Sequence, residues 1–349
     1  MLKRRETKVI KIGNVKIGGD FPILVQSMTS TKTSDIEATV KQIKQLQDVG
    51  CEIIRIGVPD LKSAKALGVI KKRIDIPLVA DIHFSAELAM EAVKRGADKI
   101  RINPGNFPKE ALEKLVKLAK KRRIPIRIGI NSGSLEKDIL GQEKIATSEM
   151  MVRSAVRNIR LMESFGFYDL VVSLKAPDVL RTVKAYELLA KKTSYPLHLG
   201  VTEAGRGLSG TVKSSIALGS LLLKGIGDTI RISLSEDPAK EVKAGWEILK
   251  SLGLREKGVK IVSCPTCART SIDVFSLSQK IEKITSKIQK PLTVAIMGCP
   301  VNGLGEGREA NLAVIGTGKL ALIMKDGEIV KKVPNKKALK ALEKELRKY

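Results

Sequence analysis

The stretch Lys99-Ile-Arg-Ile-Asn-Pro104 sets an arginine between two isoleucines and an asparagine two residues further on. That alternation belongs to a strand whose two faces meet different surroundings, because successive side chains point to opposite sides. The same triplet recurs as Ile54-Arg-Ile56, Ile126-Arg-Ile128 and Ile230-Arg-Ile232. With four further β-branched runs, strand-like segments fall at 23–29, 52–58, 78–84, 99–104, 125–131, 170–176, 197–203 and 229–235. Helical periodicity occupies 35–49, 86–95, 109–121, 148–165, 179–191, 212–223 and 238–249. Eight such units in about 250 residues predict an α/β fold, a TIM (β/α)8 barrel spanning residues 1–250. A doubly wound sheet is the alternative. It rarely runs to eight even repeats, and no Gly-x-Gly-x-x-Gly follows the first strand.

In a barrel strand, alternate residues face the inside. The isoleucines then face the helices, and Arg55, Arg101, Arg127 and Arg231 enter the lumen. Buried guanidinium groups without counter-charges are costly, and Asp81 is the one acid placed among them. An internal ion network would answer this. A bound diphosphate, gripped by guanidinium forks, answers it better. Polar residues also gather toward the C-terminal halves of the expected strands: His83, Asn103, Asn131, Ser173, Lys175, His198, Thr202, Glu203 and Ser233. Active sites of this fold lie on that face. Any one of them alone would be a turn or cap residue. Lys175 is a candidate phosphate anchor and Glu203 a candidate general acid or base; the plainer reading of each is half of an internal salt bridge. Gly205-Arg-Gly-Leu-Ser-Gly210 reads equally well as a phosphate-binding loop or as a flexible one.

Residues 251–258 read as a linker, and 259–349 as a small α+β domain. Its expected strands are 259–263, 293–297, 312–315, 320–324 and 329–333, with helices at 276–289 and 336–347. Three of the four cysteines lie here, as Cys264-Pro-Thr-Cys267 and as Cys299 within Met297-Gly-Cys-Pro-Val-Asn-Gly-Leu-Gly-Glu306. Three thiolates hold three corners of an iron–sulfur cube and leave one iron for something else. Zinc competes for a C-x2-C pair, but normally closes with a fourth Cys or a His. The only two histidines, His83 and His198, are far upstream. Inert thiols are the third reading. Cys51 opens a strand and reads as a small buried apolar residue.

The net charge is +26, from 63 Lys and Arg against 37 Asp and Glu. Such a surface attracts polyanions. Aromatics make up only 3% of the chain, too few for a base-stacking platform, so no specific nucleic acid is expected. A solvated basic surface or an acidic protein partner fits better. No run approaches a membrane span. The opening residues, Met1 to Glu6, carry no apolar stretch, so no leader is expected. The sparse cysteines fit a reducing cytoplasm.

Together, the cysteine trio with Gly305-Glu-Gly307, the opening Val25-Gln-Ser-Met-Thr29 and the Thr202-Glu-Ala-Gly205 motif resemble the 4-hydroxy-3-methylbut-2-enyl diphosphate synthase family of the methylerythritol phosphate isoprenoid pathway. The resemblance spans nearly the whole chain. It implies a [4Fe–4S] cluster held by Cys264, Cys267, Cys299 and Glu306. It implies reductive ring opening of 2-C-methyl-D-erythritol 2,4-cyclodiphosphate, with electrons from flavodoxin or ferredoxin. It also implies that Asp81, His83, Asn103, Asn131 and Ser233 line the substrate pocket beside Arg55, Arg101, Arg127, Lys175 and Arg231, with Glu203 donating a proton. The short linker matches the two-domain bacterial form.

The last barrel helix should end at the face opposite the active site. A linker of eight residues reaches at most about 26 Å, less than a barrel flank of roughly 30 Å. The cluster domain is therefore expected to cap the barrel of a second subunit in a two-fold homodimer. Two readings compete with this enzyme. One is a barrel for another phosphorylated or pterin-like substrate, with a structural zinc domain. The other is a basic RNA-binding protein.

Overall fold

A computed structural model describes residues 3–286 and 288–349. The chain divides into two units, Met1–Arg255 and Glu256–Tyr349.

In the first unit a hairpin, β1 (Ile10–Ile12) and β2 (Val15–Ile17), precedes the barrel. The barrel then follows as β3 (Leu24–Met28), α1 (Ile36–Asp48), β4 (Ile53–Gly57), α2 (Leu61–Lys71), β5 (Leu78–Asp81), α3 (Ala86–Lys94), β6 (Lys99–Ile102), α4 (Lys109–Arg122), β7 (Ile126–Asn131), α5 (Lys137–Leu140), α6 (Ser148–Ser164), β8 (Leu170–Lys175), α7 (Val179–Ala190), β9 (His198–Leu199), α8 (Gly207–Leu223), β10 (Thr229–Ile230) and α9 (Pro238–Ser251). Several helices start where a side chain satisfies an orphan amide: Asp35 accepts from Ala38 N, Ser85 from Leu88 N, Thr147 from Met150 N and Asp178 from Arg181 N.

The eight strands are parallel, in the order β8-β7-β6-β5-β4-β3-β10-β9. A bridge from Val172 to Leu197 joins β8 to the segment entering β9 and brings the ends of the sheet together. Ile54, Ile56, Ile100, Ile102, Ile126, Ile128, Ile230 and Ile232 lie in the core between strands and helices. Each contributes about 1.5–3 kcal/mol by leaving water. The lumen is apolar only near its N-terminal end. There Leu24, Ile53, Val79 and Val171 pack against Ile10, Ile12 and Ile17 of the hairpin, which closes that end.

Several elements differ from expectation. The hairpin and α2 go unread in the sequence. β9 and β10 are two residues long, because their runs leave the ladder early to become loops. The glycine-rich segment 205–210 is not a free loop: α8 begins at Gly207, and the Gly210 amide donates to the Arg206 carbonyl. The expected linker is half fastened down. Arg255 donates to the Ile23 carbonyl at 2.6 Å and to Glu52 at 2.9 Å, and its guanidinium lies 4.7 Å over the Trp246 ring. Ile23 and Glu52 immediately precede β3 and β4, so the chain is held at the N-terminal end of the barrel.

The second unit is a five-stranded sheet in sequence order: β11 (Val259–Ser263), β12 (Leu292–Met297), β13 (Leu312–Thr317), β14 (Leu320–Lys325) and β15 (Glu328–Pro334). The first three are parallel and the last two antiparallel. Helices α10 (Val274–Thr285) and α12 (Ala338–Leu346) cover one face; α11 (Pro300–Glu309) covers the other. The helix expected at 276–289 ends at Thr285, and residue 287 lies outside the described residues. Among the described residues, no helix is long and apolar enough to cross a membrane.

Candidate functional site

At the C-terminal end of the barrel strands lies a cavity of about 110 Å³. Arg55, Arg101, Arg127, Arg231 and Lys175 all reach it, with Asp81, His83, Asn131, Ser173, Thr202 and Ser233. Strands β4 to β8 supply Arg55, Asp81, Arg101, Arg127, Asn131, Ser173 and Lys175 by their period-two alternation, and the segments that follow β5, β9 and β10 supply His83, Thr202, Arg231 and Ser233. Of the candidate binding residues, only Asn103 is not part of this wall. It is buried just after β6, and both its side-chain polar atoms lack a partner among the described residues.

Arg101 is fixed on three sides. It donates to Asp81 Oδ1 at 3.1 Å, to the Gly129 carbonyl at 3.2 Å and to His83 Nε2 at 2.8 Å. Gly129 makes room for it, since a Cβ there would overlap the Arg101 Nε. Gly200 does the same for Lys175, whose Nζ would lie 2.5 Å from an added Cβ. Arg55 Nε lies 3.7 Å from Asp81 Oδ2. Burial alone would raise the Asp81 pKa. Arg55, His83 and Arg101 more than offset that and hold its carboxyl far below the usual carboxylate range. Burial lowers Arg55 to about 10, with Asp81 resisting and Arg231 and Arg101 adding to the fall. Arg127 and Lys175 are pushed well down, first by burial and then by neighbouring guanidinium groups.

A second carboxylate, unread in the sequence, serves this site. Glu241 on α9 is buried and accepts from Arg231 Nη2 at 3.4 Å, Ser27 Oγ at 3.2 Å and the Leu234 amide at 2.9 Å. Even so, among the described residues the carboxylates paired with these four arginines and Lys175 are Asp81 and Glu241 alone. Among the described residues, Arg127 keeps its Nε and Nη1 without partners, as Arg101 and Arg231 keep their Nε. The arrangement is built to receive a compact anion carrying several charges.

His198 does not join the mouth. It opens β9, is fully buried, and links Lys175 Nζ at 3.4 Å to Thr229 Oγ1 at 2.9 Å. Glu203 is exposed beyond β9, and its backbone is left-handed at φ 51°. A larger cavity of about 580 Å³ adjoins the first, sharing Asp81 and His83 and walled by Thr29, Thr31, Thr33 and Phe84.

In the second unit, Cys264 and Cys299 follow the paired strands β11 and β12. The Gly298 amide donates to Cys264 Sγ at 3.2 Å. Cys299 is the N-cap of α11. Glu306 lies seven residues on, two turns along the same face, and helix side chains lean back toward the N-terminus. Cys267 is exposed, after a left-handed Thr266 at φ 67°. All four cysteines are free thiols. Burial pushes the Cys51 thiol up to about 12, so it stays protonated and inert. Among the described residues, no three His, Cys, Asp or Glu side chains converge as a single ion requires.

Residues 7–246 match the GcpE TIM-barrel domain, and residues 260–348 the GcpE protein C-terminal domain. A protein of Caldanaerobacter subterraneus subsp. tengcongensis named 4-hydroxy-3-methylbut-2-en-1-yl diphosphate synthase (flavodoxin) is 55% identical over 350 residues, covering 100% of this chain and 99% of that protein. One of the same name from Geobacillus thermodenitrificans is 50% identical, covering 99% and 93%. Among solved structures, dihydropteroate synthase from Stenotrophomonas maltophilia aligns with a TM-score of 0.53 at 14% identity, over 70% of this chain and 99% of that one. The Yersinia pestis dihydropteroate synthase gives 0.51 at 14%, over 70% and 98%. That likeness is one of barrel fold.

Proposed function

The chain belongs to the GcpE family, an enzyme family of isoprenoid biosynthesis, and on that premise we propose that it is a flavodoxin-dependent 4-hydroxy-3-methylbut-2-en-1-yl diphosphate synthase. In this reading it opens the ring of 2-C-methyl-D-erythritol 2,4-cyclodiphosphate, taking up two electrons from flavodoxin or ferredoxin and releasing water. The observation that carries the proposal is the excess of buried cations over carboxylates around the 110 Å³ cavity. A cyclic diphosphate supplies the missing negative charge at short range. The forks of Arg55, Arg101, Arg127 and Arg231, with Lys175, grip its phosphate oxygens. Asn131 and Ser233 add neutral hydrogen bonds at the rim, and the adjoining cavity leaves room for the carbon skeleton. Glu203 supplies the proton for the departing hydroxyl. Its left-handed backbone supports this role, since such strain in a non-glycine residue persists where function demands the position.

Cys264, Cys267, Cys299 and Glu306 fit an iron–sulfur cluster better than zinc. Structural zinc normally closes its set with a fourth Cys or a His, and both histidines, His83 and His198, lie in the other unit. Cys264, which accepts from the Gly298 amide, and Cys299, at the α11 N-terminus, follow neighbouring parallel strands and supply two sulfurs of the set. Bound there, a [4Fe–4S] cluster would supply electrons singly at low potential. Free thiols of this kind suit a reducing cytoplasm.

The active form we propose is a homodimer in which each cluster unit serves its partner's barrel. Two observations support it. The chain is fastened through Arg255 at the barrel's N-terminal end, so only residues 256–258 remain as tether before β11. Helix α8 also exposes an apolar stripe, with Leu208 81%, Val212 44%, Ile216 54% and Leu223 54% exposed. Lys213 is its only charge. A chain of net charge +26 repels its own copies except where a face carries almost no charge. An anaerobic assay of the reconstituted protein with the cyclodiphosphate and reduced flavodoxin tests the reading. A brown protein with acid-labile sulfide that forms the product supports it. A colourless protein holding one zinc and making no product sinks it.

A further inference from the structure

Beneath the cation cavity the barrel holds a basic side chain that the cavity wall does not use. Lys99 opens β6 two residues before Arg101, so both enter the lumen, Lys99 nearer the N-terminal end. It is 0% exposed, and among the described residues its Nζ has no hydrogen-bond partner. Gln26 on β3 is also buried, with neither Nε2 nor Oε1 partnered. The charged groups bearing on Lys99 are Arg127 of β7 and Arg55 of β4, both cationic. Lys99 in turn acts on the buried His198 of β9. Arg101 on its own strand and Lys175 on β8 add to the basic surroundings. The two carboxylates of the site, Asp81 on β5 and Glu241 on α9, are already engaged by Arg55, Arg101 and Arg231.

Among the described residues, an ammonium in this place bonds to no acceptor and the charges acting on it are cationic. Burial, followed by repulsion from Arg127 and Arg55, drives Lys99 toward the neutral amine. A multiply charged anion in the cavity above reverses that balance, because its field reaches Lys99 through a low-dielectric interior. We propose that Lys99 is the proton-accepting member of the anion site: binding of a diphosphate draws one proton from solvent onto its Nζ lone pair. No other bond forms or breaks. The inference rests on the diphosphate reading of the cavity and adds a coupling to it. The barrel tolerates its crowd of cations in the free protein because one of them acquires its charge only with the ligand. Since binding takes up a proton, affinity falls as pH rises, by about tenfold per pH unit for a full proton.

Calorimetric titration of the full-length, cluster-reconstituted protein with inorganic pyrophosphate, in two buffers of unequal ionisation enthalpy, counts the protons taken up per anion. Wild type is compared with Lys99→Met. Lys99→Gln serves as a second variant should the first fail to fold. Pyrophosphate's own titration contributes equally to all and cancels in the difference. Wild type is expected to take up close to one proton more than either variant, and to lose affinity more steeply with rising pH. Equal uptake in wild type and variants overturns the inference, since the proton would then go to Lys175 or His198. Failure of wild type to bind pyrophosphate at all overturns the diphosphate reading, and this inference with it.

Discussion

Gly129 and Arg101 face each other on neighbouring strands so closely that a Cβ on the glycine would overlap the arginine Nε. The Arg101 guanidinium thus occupies space that only a glycine on β7 leaves open. Gly129→Ala must evict it from its bonds to Asp81, His83 and the Gly129 carbonyl. Hydrogen bonds of charged groups contribute about 1.5–3 kcal/mol, so the KM for the cyclodiphosphate should rise roughly ten- to hundredfold. Steady-state kinetics check this, and an unchanged KM would show that Arg101 does not grip the substrate from its observed place.

Asp81 makes stability depend on acid. Its folded-state pKa lies well below the unfolded value of about 3.9. Its stabilisation is therefore fully present above about pH 5 and is lost as pH falls through the folded value. Asp81→Asn leaves Arg55 and Arg101 without their shared counter-charge, and breaking such a buried pair costs about 3–5 kcal/mol. Urea unfolding at pH 7 should show that loss, and the gap between variant and wild type should narrow with acidification below about pH 4. A gap that stays constant with pH would remove Asp81 as the cause.

The barrel was legible because its strands repeat a strict two-residue alternation, and the arginines follow from the same pattern. What escaped reading did so for local physical reasons. In α2, Ser63, Ala64 and Ala66 face the barrel, and small residues dilute an apolar period. In α11, glycines that read as loop instead allow close packing: a Cβ on Gly303 would lie 2.7 Å from Ile315. Glu241 is a lone acid on an apolar helix face shared with Val242, Trp246 and Leu249, and that mismatch was the available signal. Lys99 stands in the decisive stretch itself. Its burial follows from the layer it occupies, which depends on where the hairpin plugs the lumen.

The α8 stripe gives the dimer a direct test. Val212→Glu with Ile216→Lys places charge where a second copy would pack, which desolvation penalises strongly. Light scattering should report a monomer. That monomer should keep its iron and sulfide while turnover falls at least about tenfold, because the barrel would lose its partner's cluster unit. Full activity in a proven monomer would rule out the shared site.

The cysteine unit should separate ligands from bystanders. Cys264→Ser and Cys299→Ser each remove one of the three sulfurs proposed to hold the cluster, so iron and acid-labile sulfide should fall to a small fraction of wild type. Cys51→Ala should leave both unchanged, since that thiol is buried in the barrel unit. Glu306→Gln keeps the three cysteines and removes the carboxylate proposed as the fourth, harder ligand, so partial cluster content with greater lability is expected. Full iron and sulfide in Cys264→Ser would show that the strand-end thiols do not hold the group.

Glu203 sits in a backbone conformation that favours glycine, which sets stability against activity at one position. Glu203→Gln keeps the shape but removes the acidic proton; kcat should fall about 10²–10⁴-fold, with KM within a few-fold. Glu203→Gly removes the left-handed strain and should stabilise the barrel by about 1 kcal/mol, a rise of roughly 2–4 °C in melting temperature, while being as inactive as the glutamine variant. A glycine variant no more stable than wild type would show that the loop carries no strain. A glutamine variant with normal kcat would move the proton donor elsewhere, whatever the backbone does.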